Sequence, residues 1–348
     1  MAPCIQFSDD LGAHPLSTFF LFKREPYHAF LLLFRFQFSF LNYFGLGLLG
    51  YRIAESYTQW VLSVRMSITP DSKNGFLETK VQKASPAIGA YVDVDLSQVN
   101  LGNWLRDLLH NYELLVFRNQ HLSMDRFLSV AQLFGCVEPH PAYPTVADTP
   151  EVQILESTPE KPSKIELWHS DMTFRVKPPS TTLLYADTLP EIGGDTLWTS
   201  TTTAFETLSE PLRSFVSGLQ AEHDFAYGFR ESLEEPGGRE RLASVLGDNP
   251  PTLHPVIRRH PVTGRSAIFV NPLFTRRIAN LSRNEGKVVL QILNEHIVKD
   301  EHTFRLKWFP RTLVIWDNRS TQHKPINDFM GHHRKMFRIT LQDDALAE

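Results

Sequence analysis

The N-terminal part of the chain has a different hydrophobic pattern from the rest. Residues 29–50 (AFLLLFRFQFSFLNYFGLGLLG) form one apolar run with a single charge, Arg35. A helix that crosses a bilayer needs about 20 such residues. Nearly thirty residues precede the run, whereas a secretory signal starts with a short basic region and ends at a small-residue cleavage site. Three interpretations remain: a membrane-spanning or membrane-associated helix, an amphipathic or buried extension, and an N-terminal addition that the domain does not need. We favour the third, with Met66 as the start of the working part.

From about residue 82 the pattern becomes that of a folded domain. Apolar runs and period-two alternation predict strands at residues 88–94, 112–117, 181–186, 266–270, 312–316 and 335–341. Helical spacing predicts helices at residues 101–108, 127–134 and 204–219, and a fourth that begins at the capping box of Ser282 and Glu285. Strands separated by long helical stretches favour an α+β domain built on an antiparallel sheet sandwich. We therefore divide the chain into an extension, residues 1–65, and one domain, residues 66–348.

Composition and charge exclude several classes of protein. The 348 residues are 42% hydrophobic and 21% charged, which is ordinary for a globular protein. Cys4 and Cys136 are the two cysteines, too few for a disulfide scaffold or a cysteine zinc site. The formal net charge of −4 provides no basic field for nucleic acid. No glycine fingerprint of a dinucleotide or P-loop site is present, so we expect small-molecule or protein partners.

Two short segments carry the residues for a metal site. In Trp168–Phe174 (WHSDMTF), a strand would aim His169 and Asp171 at the same side. Near the C-terminus the segment Asp317–His323 (DNRSTQH) contributes His323. Two imidazoles and one carboxylate form the facial triad that suits ferrous iron, because three protein ligands leave positions open for substrate and dioxygen. The sequence therefore predicts that His169, Asp171 and His323 bind iron.

Two arginines on the last predicted strand suit an acidic ligand. Arg334 and Arg338 are four residues apart, so a strand would place them on one face with Met336 and Thr340. Phe337, Ile339 and Leu341 would pack on the other face. A planar guanidinium binds a carboxylate or a sulfonate through two donors. A 2-oxo acid that chelates the metal would need such a cation for its far carboxylate.

Taken together, the motifs resemble those of the Fe(II)/2-oxoglutarate dioxygenases of the taurine dioxygenase group. The resemblance covers most of residues 83–342 and rests on five segments: HPAYP at 140–144, WHSDMTF at 168–174, GGDTLW at 193–198, FVNPLF at 269–274, and IWDNRSTQH at 315–323 with its two arginines. It implies a double-stranded β-helix, or jelly roll, with added helices. It also implies Fe(II) as the metal, with 2-oxoglutarate and O2 as co-substrates.

The resemblance also implies a role for individual residues, with no catalytic side chain beyond the metal ligands. Thr196 and Arg334 would bind the distal carboxylate of 2-oxoglutarate. The substrate's sulfonate would be held by His140, Arg338 and the backbone N–H of Met172. Tyr143 would lie near the amine end of the substrate, and Phe225 and Phe274 would line the pocket. The reaction implied is hydroxylation of the carbon next to a sulfonate, which releases sulfite, an aldehyde, succinate and CO2.

One departure from the group's pattern affects the substrate. Taurine-using members carry an asparagine three positions before the tryptophan of the iron motif, where this chain has Ile165. An apolar side chain cannot hydrogen-bond an ammonium group, so longer or more apolar alkanesulfonates gain weight over taurine. Alkyl sulfates and aryloxyalkanoates remain alternatives, since Arg338 would hold their anionic groups equally well. An alternative from another class is an inactive, metal-binding module.

Location and assembly are expectations only. Ferrous iron and 2-oxoglutarate are intracellular, and the cysteine count indicates no oxidising compartment, so we expect a cytoplasmic protein. Membrane association would come only through residues 29–50. Jelly-roll enzymes of this group often pair, which makes a homo-oligomer an open alternative.

Overall fold

The domain is described in a computed structural model over residues 80–97, 101–138, 143–329 and 331–342. The predicted extension 1–65, its apolar run 29–50, the proposed start at Met66 and the predicted sulfonate ligand His140 all lie outside these residues. Those predictions therefore remain predictions. No helix within the described ranges is long and apolar enough to cross a membrane.

The described residues form sixteen strands and nine α-helices. The strands, in chain order, are β1 (Lys80–Lys83), β2 (Ala90–Asp93), β3 (Leu114–Phe117), β4 (Thr145–Val146), β5 (Thr149–Ser157), β6 (Thr181–Thr188), β7 (Thr196–Ser200), β8 (Gln220–His223), β9 (Thr252–Pro255), β10 (Ile257–Arg259), β11 (Ser266–Ile268), β12 (Thr275–Ile278), β13 (Thr303–Leu306), β14 (Leu313–Asp317), β15 (Thr321–Pro325) and β16 (Arg334–Leu341). The helices are α1 (Gly102–Tyr112), α2 (Met124–Ala131), α3 (Thr201–Thr207), α4 (Glu210–Val216), α5 (Phe225–Gly228), α6 (Arg230–Glu234), α7 (Gly238–Arg241), α8 (Ala243–Asp248) and α9 (Arg283–Ile297). A short 3₁₀ helix follows at Asp300–His302.

The strands pair into one large sheet and three small ones. The large sheet has the order β1-β2-β3-β14-β6-β16-β5-β4, and a three-stranded sheet has the order β13-β7-β15. The two other sheets are β12-β8-β9 and β10-β11. All pairings are antiparallel except that of β2 with β3. The predicted antiparallel sheet sandwich in an α+β domain is confirmed.

Period-two alternation on the central strands gives the large sheet two buried faces. On one face Leu183 and Tyr185 of β6 join the apolar cluster that contains residues of α1 and α2. On the other face Leu184 and Ala186 join the cluster that contains Trp198 of β7. Strand β16 follows the same rule, since Phe337, Ile339 and Leu341 lie in the first cluster and Met336 lies in the second. Arg338 and Thr340 share the face of Met336 and therefore lie between the sheets.

Most predicted elements are present with small shifts at their ends. Ser123 caps α2 by accepting a hydrogen bond from the backbone N–H of Arg126. The predicted capping box of α9 forms in both directions between Ser282 and Glu285. The single helix predicted at residues 204–219 is wrong, because Leu208 and Ser209 adopt extended backbone conformations that separate α3 from α4. Pro211 lies in the first turn of α4, where a proline fits better than in the interior of a helix.

Candidate active site

His169, Asp171 and His323 converge as the sequence predicts. One ligand atom from each lies within 4.8 Å of the other two, and this is the one such group of metal-ligating side chains among the described residues. The backbones of His169 and His323 form an isolated antiparallel bridge, with N–H to O distances of 3.0 and 2.8 Å. Because β15 carries His323, this bridge fixes the segment of His169 against a regular strand.

The segment of Asp171 is not the strand that the sequence predicts. His169 makes only the isolated bridge, Asp171 begins a turn, and Met172 has a left-handed φ of 47°. The side chain of Asn318 replaces strand pairing here. Its Oδ1 accepts from the Asp171 N–H at 2.6 Å, and its Nδ2 donates to the Asp171 carbonyl at 2.9 Å. His169 and Asp171 therefore meet because their backbones are held from two sides, and not because a strand has a period of two.

The ionisation of the three side chains suits metal binding. Nδ1 of His169 lies 2.9 Å from the Leu167 carbonyl, which can only accept, so this nitrogen carries the proton and Nε2 is left with a lone pair. Burial lowers the pKa of His169, and it lowers the pKa of His323 to about 3. Burial alone would raise the pKa of Asp171, but the charges of His323 and Arg338 outweigh it and lower that pKa to about 2. Two neutral imidazoles and one carboxylate are thus present near neutral pH.

This donor set fits ferrous iron. Two imidazole nitrogens, one carboxylate and no thiolate correspond to the facial triad of non-haem iron, whereas structural zinc uses four ligands and often thiolates. The hydrogen bond from His169 to a backbone carbonyl is the kind of second contact that orients a metal-ligating imidazole. His169, Asp171 and His323 would hold the ion.

Arg338 lies beside the candidate metal site. Its guanidinium Nη1 is 3.7 Å from Oδ1 of Asp171, and its Nε and Nη2 donate to Oε1 of Gln153 at 3.3 and 3.2 Å. The guanidinium carbon is 4.6 Å from the centre of the Tyr143 ring, in cation–π geometry. Arg338 is only 7% exposed. The structure thus brings the predicted substrate residues Arg338 and Tyr143 together next to Asp171.

Arg334 has different surroundings at the other end of the same face. Its guanidinium lies 6.0 Å from the Trp308 ring centre and 5.8 Å from that of Phe329. Its Nε is buried without a hydrogen-bond partner, and no carboxylate of the described residues is within ion-pair distance of it. Burial lowers the pKa of Arg334 to about 10. A cation in this setting is suited to an anionic ligand.

Thr196 and Gly194 border the Arg334 site. The indole N–H of Trp308 donates to Oγ1 of Thr196 at 2.9 Å, so Thr196 and Arg334 contact the same tryptophan. Gly194 has a φ of +72°, and a Cβ there would lie 3.4 Å from Cδ and Nε of Arg334. Glycine at this position keeps the chain close to the guanidinium without a side chain in between.

Apolar side chains form a wall on one side of the metal ligands. Phe274 lies edge-on to His169, with ring centres 6.3 Å apart, and packs against Phe174 at 5.1 Å. Phe225 belongs to the same cluster, which we call the apolar wall; its buried members are Met172, Phe174, Phe225, Leu233, Leu242, Val245, Leu273 and Phe274. Ile165 packs against this wall. Gly228 allows the close approach of Phe274, since a Cβ there would lie 2.5 Å from that ring.

Three polar side chains at the site were not predicted from the sequence. Thr182 donates to Oδ2 of Asp171, Gln153 accepts from Arg338, and Asn318 holds the backbone of Asp171. Asn318 lies inside the segment IWDNRSTQH at 315–323, so its position was part of a motif although its role was not predicted. Thr182 lies in the strand predicted at residues 181–186, where a polar residue within an apolar run was the available signal. Gln153 lies in β5, which was not predicted from the sequence, so no signal marked it.

Comparison with known proteins places this site in a family. The model of the taurine catabolism dioxygenase TauD, TfdA family matches residues 80–340. An alkylsulfatase of Acinetobacter baylyi is 34% identical over 284 residues, covering 78% of this chain and 88% of that protein. An alpha-ketoglutarate-dependent sulfonate dioxygenase of Saccharomyces cerevisiae is 31% identical over 296 residues, covering 80% and 70%. The crystal structure of a taurine dioxygenase from Burkholderia xenovorans superposes with a TM-score of 0.65 at 31% identity, covering 77% and 90%. This likeness confirms the jelly-roll fold.

Proposed function

Because the chain belongs to the TauD/TfdA family and is a 2-oxoglutarate-dependent dioxygenase, we propose that it oxidises alkanesulfonates with an apolar chain. In this reaction the carbon next to the sulfonate is hydroxylated. The hydroxysulfonate then breaks its carbon–sulfur bond, giving an aldehyde and sulfite. One oxygen atom of O2 enters the substrate and the other enters succinate, which forms from 2-oxoglutarate with loss of CO2.

The protein's part in this reaction is binding, orientation and exclusion of water. When bound by His169, Asp171 and His323, ferrous iron would supply the redox chemistry with O2. No side chain needs to act as a nucleophile. Arg334 would bind 2-oxoglutarate and Arg338 would bind the substrate anion, because the two arginines have different surroundings on one strand face.

The observation that carries the proposal is the position of Arg338. A buried guanidinium 3.7 Å from the Asp171 carboxylate can hold an anionic head group directly beside the metal ligands. An anion fixed there leaves the adjacent carbon as the part of the substrate nearest the metal site. Arg338 has a planar fork that matches sulfonate oxygens. This geometry supports oxidation next to the anionic group and not at the far end of the chain.

Arg334 supports a separate site for 2-oxoglutarate. Its unpartnered Nε and the absence of a described carboxylate partner leave its charge available to the distal carboxylate of the co-substrate. Thr196 shares the Trp308 contact and adds a hydroxyl that can donate to the same carboxylate. The two rings of Trp308 and Phe329 reduce solvent access, which strengthens the ionic interaction.

The apolar wall supports an apolar substrate chain. Ile165 packs against the wall where taurine-using members carry an asparagine, and the wall's buried members are all apolar. The apolar side chains of the wall offer no hydrogen-bond acceptor to an ammonium group, and leaving a charged group unpaired costs more than the roughly 1–3 kcal/mol of a neutral one. An alkyl chain would instead gain about 0.8 kcal/mol for each buried methylene.

An alkyl sulfate is the second candidate substrate. The similarity to an alkylsulfatase favours it, as does the apolar wall, because Arg338 can bind a sulfate head group as well as a sulfonate. Hydroxylation of the carbon next to the ester oxygen would give an aldehyde and sulfate. The sulfur product therefore distinguishes the two candidates.

The test uses the full chain with Fe(II), ascorbate and 2-oxoglutarate and a panel of substrates. The panel contains taurine, butane-, hexane- and octane-1-sulfonate, and the matching alkyl sulfates. Sulfite, sulfate and succinate are measured in parallel. We expect sulfite from the unsubstituted sulfonates and a much lower kcat/KM with taurine.

Each other pattern of products changes the conclusion. Sulfate from the esters without sulfite from any sulfonate would replace our proposal with the second candidate. If no compound of the panel changed the rate of succinate formation, the substrate would be neither a sulfonate nor an alkyl sulfate. A lack of all three products, with iron bound, would favour the inactive metal-binding module.

A further inference from the structure

The two carboxylate oxygens of Asp171 have different surroundings. Oδ2 accepts a hydrogen bond from the Thr182 hydroxyl at 2.8 Å. Oδ1 faces the ligand side, 4.0 Å from Nε2 of His323 and 3.7 Å from Nη1 of Arg338. One oxygen is therefore occupied by the strand behind it, and the other points to the shared space between the candidate metal ligands and Arg338.

The position of Thr182 is unusual for a polar residue. It lies on the central strand β6, directly across from Trp316 on β14 and from Thr340 on β16. Its exposure is 0%. A valine would have the same shape and β-propensity without a hydroxyl to satisfy. The Asp171 carboxylate is the partner that accounts for the hydroxyl.

The backbone of Asp171 is already fixed, so the hydroxyl acts on the side chain alone. Asn318 holds both the N–H and the carbonyl of Asp171, and Ser170 donates to the Thr321 carbonyl at 2.7 Å. The remaining freedom is rotation of the carboxylate about its bond to Cβ. The hydrogen bond to Thr182 is the contact that opposes this rotation.

We propose that Thr182 is a positioning residue that holds Oδ2 of Asp171, so that Oδ1 is presented to the metal and the carboxylate is kept from turning onto Arg338. This inference rests on the proposed function, since it assumes that Asp171 binds the ion and that Arg338 binds the substrate anion. Without the hydroxyl, Oδ2 loses its partner in a buried site. The Asp171 carboxylate would then regain hydrogen bonds by pairing more tightly with Arg338, and both metal binding by Asp171 and anion binding by Arg338 would weaken.

The chain provides a matched control in Thr340. This residue lies opposite Thr182 in register on β16 and is 1% exposed. Its hydroxyl is buried and has no hydrogen-bond partner. Thr340→Val thus removes a similar hydroxyl from the same sheet face without touching Asp171.

The experiment measures Mn(II) affinity of the metal-free full chain by isothermal titration calorimetry, so that activity is not the readout. We expect Thr182→Val to weaken Mn(II) binding by about 10- to 100-fold, the usual effect of losing a residue that supports a metal ligand. Thr182→Ser, which keeps the hydroxyl, and Thr340→Val should stay within about 3-fold of the wild type. Thermal denaturation of the metal-free proteins checks that all variants fold, and Thr182→Ala replaces Thr182→Val if the latter does not.

Two results would overturn the inference. One is wild-type Mn(II) affinity in folded Thr182→Val or Thr182→Ala. The other is an equal loss in Thr340→Val or Thr182→Ser, which would indicate a packing effect. Asp171→Ala separates this inference from the proposed function: if it retains Mn(II) affinity, the metal site itself is wrong, and if it loses affinity while the Thr182 variants do not, only the role of Thr182 is wrong.

Discussion

Nη1 of Arg338 lies 3.7 Å from Oδ1 of Asp171, so a candidate substrate ligand and a candidate metal ligand form a buried ion pair. A metal ion bound by Asp171 and an anion bound by Arg338 would each interact with one of the two charges of this pair. In the proposed reaction, the head group of the substrate would thereby lie next to the metal ion.

Arg338→Ala tests the anion site. Loss of charge-assisted hydrogen bonds to a buried anion costs about 1.5–3 kcal/mol, so we expect the KM for hexane-1-sulfonate to rise by about 10- to 100-fold. The KM for 2-oxoglutarate should change by less than about 3-fold, because Arg334 is a separate site. Steady-state kinetics that follow succinate release measure both constants. Equal increases in both would contradict two separate anion sites.

Arg334→Ala tests the co-substrate site and should give the opposite pattern. We expect 2-oxoglutarate to bind about 10- to 100-fold more weakly to the Mn(II)-loaded protein, measured by calorimetry. Lys335→Ala is the matched control, since Lys335 is the next residue on β16 and lies 3.8 Å from Asp187. It removes a cation from the same strand and should leave 2-oxoglutarate affinity unchanged. An equal loss in both variants would indicate a general charge effect.

Ile165→Asn tests the interpretation of the apolar wall. A side chain that can accept a hydrogen bond from an ammonium group should improve taurine, and its polarity should disfavour an alkyl chain. We expect the ratio of kcat/KM for taurine to that for hexane-1-sulfonate to rise by about 10-fold or more. Ile165→Val keeps the wall apolar and should leave the ratio near the wild-type value. An unchanged ratio in Ile165→Asn would place the substrate chain elsewhere.

Glu113 makes the stability of the domain depend on pH. Burial raises the pKa of its carboxyl from 4.5 to about 7, although Thr202 and Arg265 both donate to it. Between these two pH values the folded state holds a proton that the unfolded state has lost, so the free energy of unfolding falls as pH rises from about 4.5 to 7.

Glu113→Gln removes that dependence. Relative to the wild type, its free energy of unfolding should rise by roughly 1–3 kcal/mol between pH 5 and pH 8, measured by urea denaturation. Glu206→Gln removes the other carboxylate that contacts Arg265, but from an exposed position. Exposed pairs contribute about 0–1 kcal/mol, so its effect should be small at both pH values. If the free energies of unfolding of Glu113→Gln and the wild type differed by the same amount at pH 5 and pH 8, a buried, protonated Glu113 would be contradicted.

The six strands predicted from the sequence are all present, whereas the polar residues that hold the metal ligands in place were not predicted. Alternation on β16 correctly divided Arg338 from Phe337, because one face is packed on helices and the other faces the second sheet. The spacing of His169 and Asp171 indicated their convergence, but for the wrong reason, since Asn318 holds Asp171 in a turn. Long-range contacts of this kind join residues 147 positions apart and leave no local pattern.

The helix predicted at residues 204–219 shows the same limit. Its apolar spacing is continuous, but the backbone extends at Leu208 and Ser209. Thr182 and Gln153 were missed because each occupies a core position on a strand, where sequence alone does not reveal which polar partner satisfies the side chain.

The product stoichiometry of the Fe(II)-loaded full chain with hexane-1-sulfonate under ¹⁸O₂ tests the proposed reaction most directly. We predict one sulfite and one ¹⁸O-labelled succinate for each 2-oxoglutarate consumed, and neither product from Asp171→Ala. Two results would contradict a sulfur-anion dioxygenase built on His169, Asp171 and His323. One is formation of succinate while no substrate of the panel gives sulfite or sulfate. The other is sulfite release that persists in Asp171→Ala.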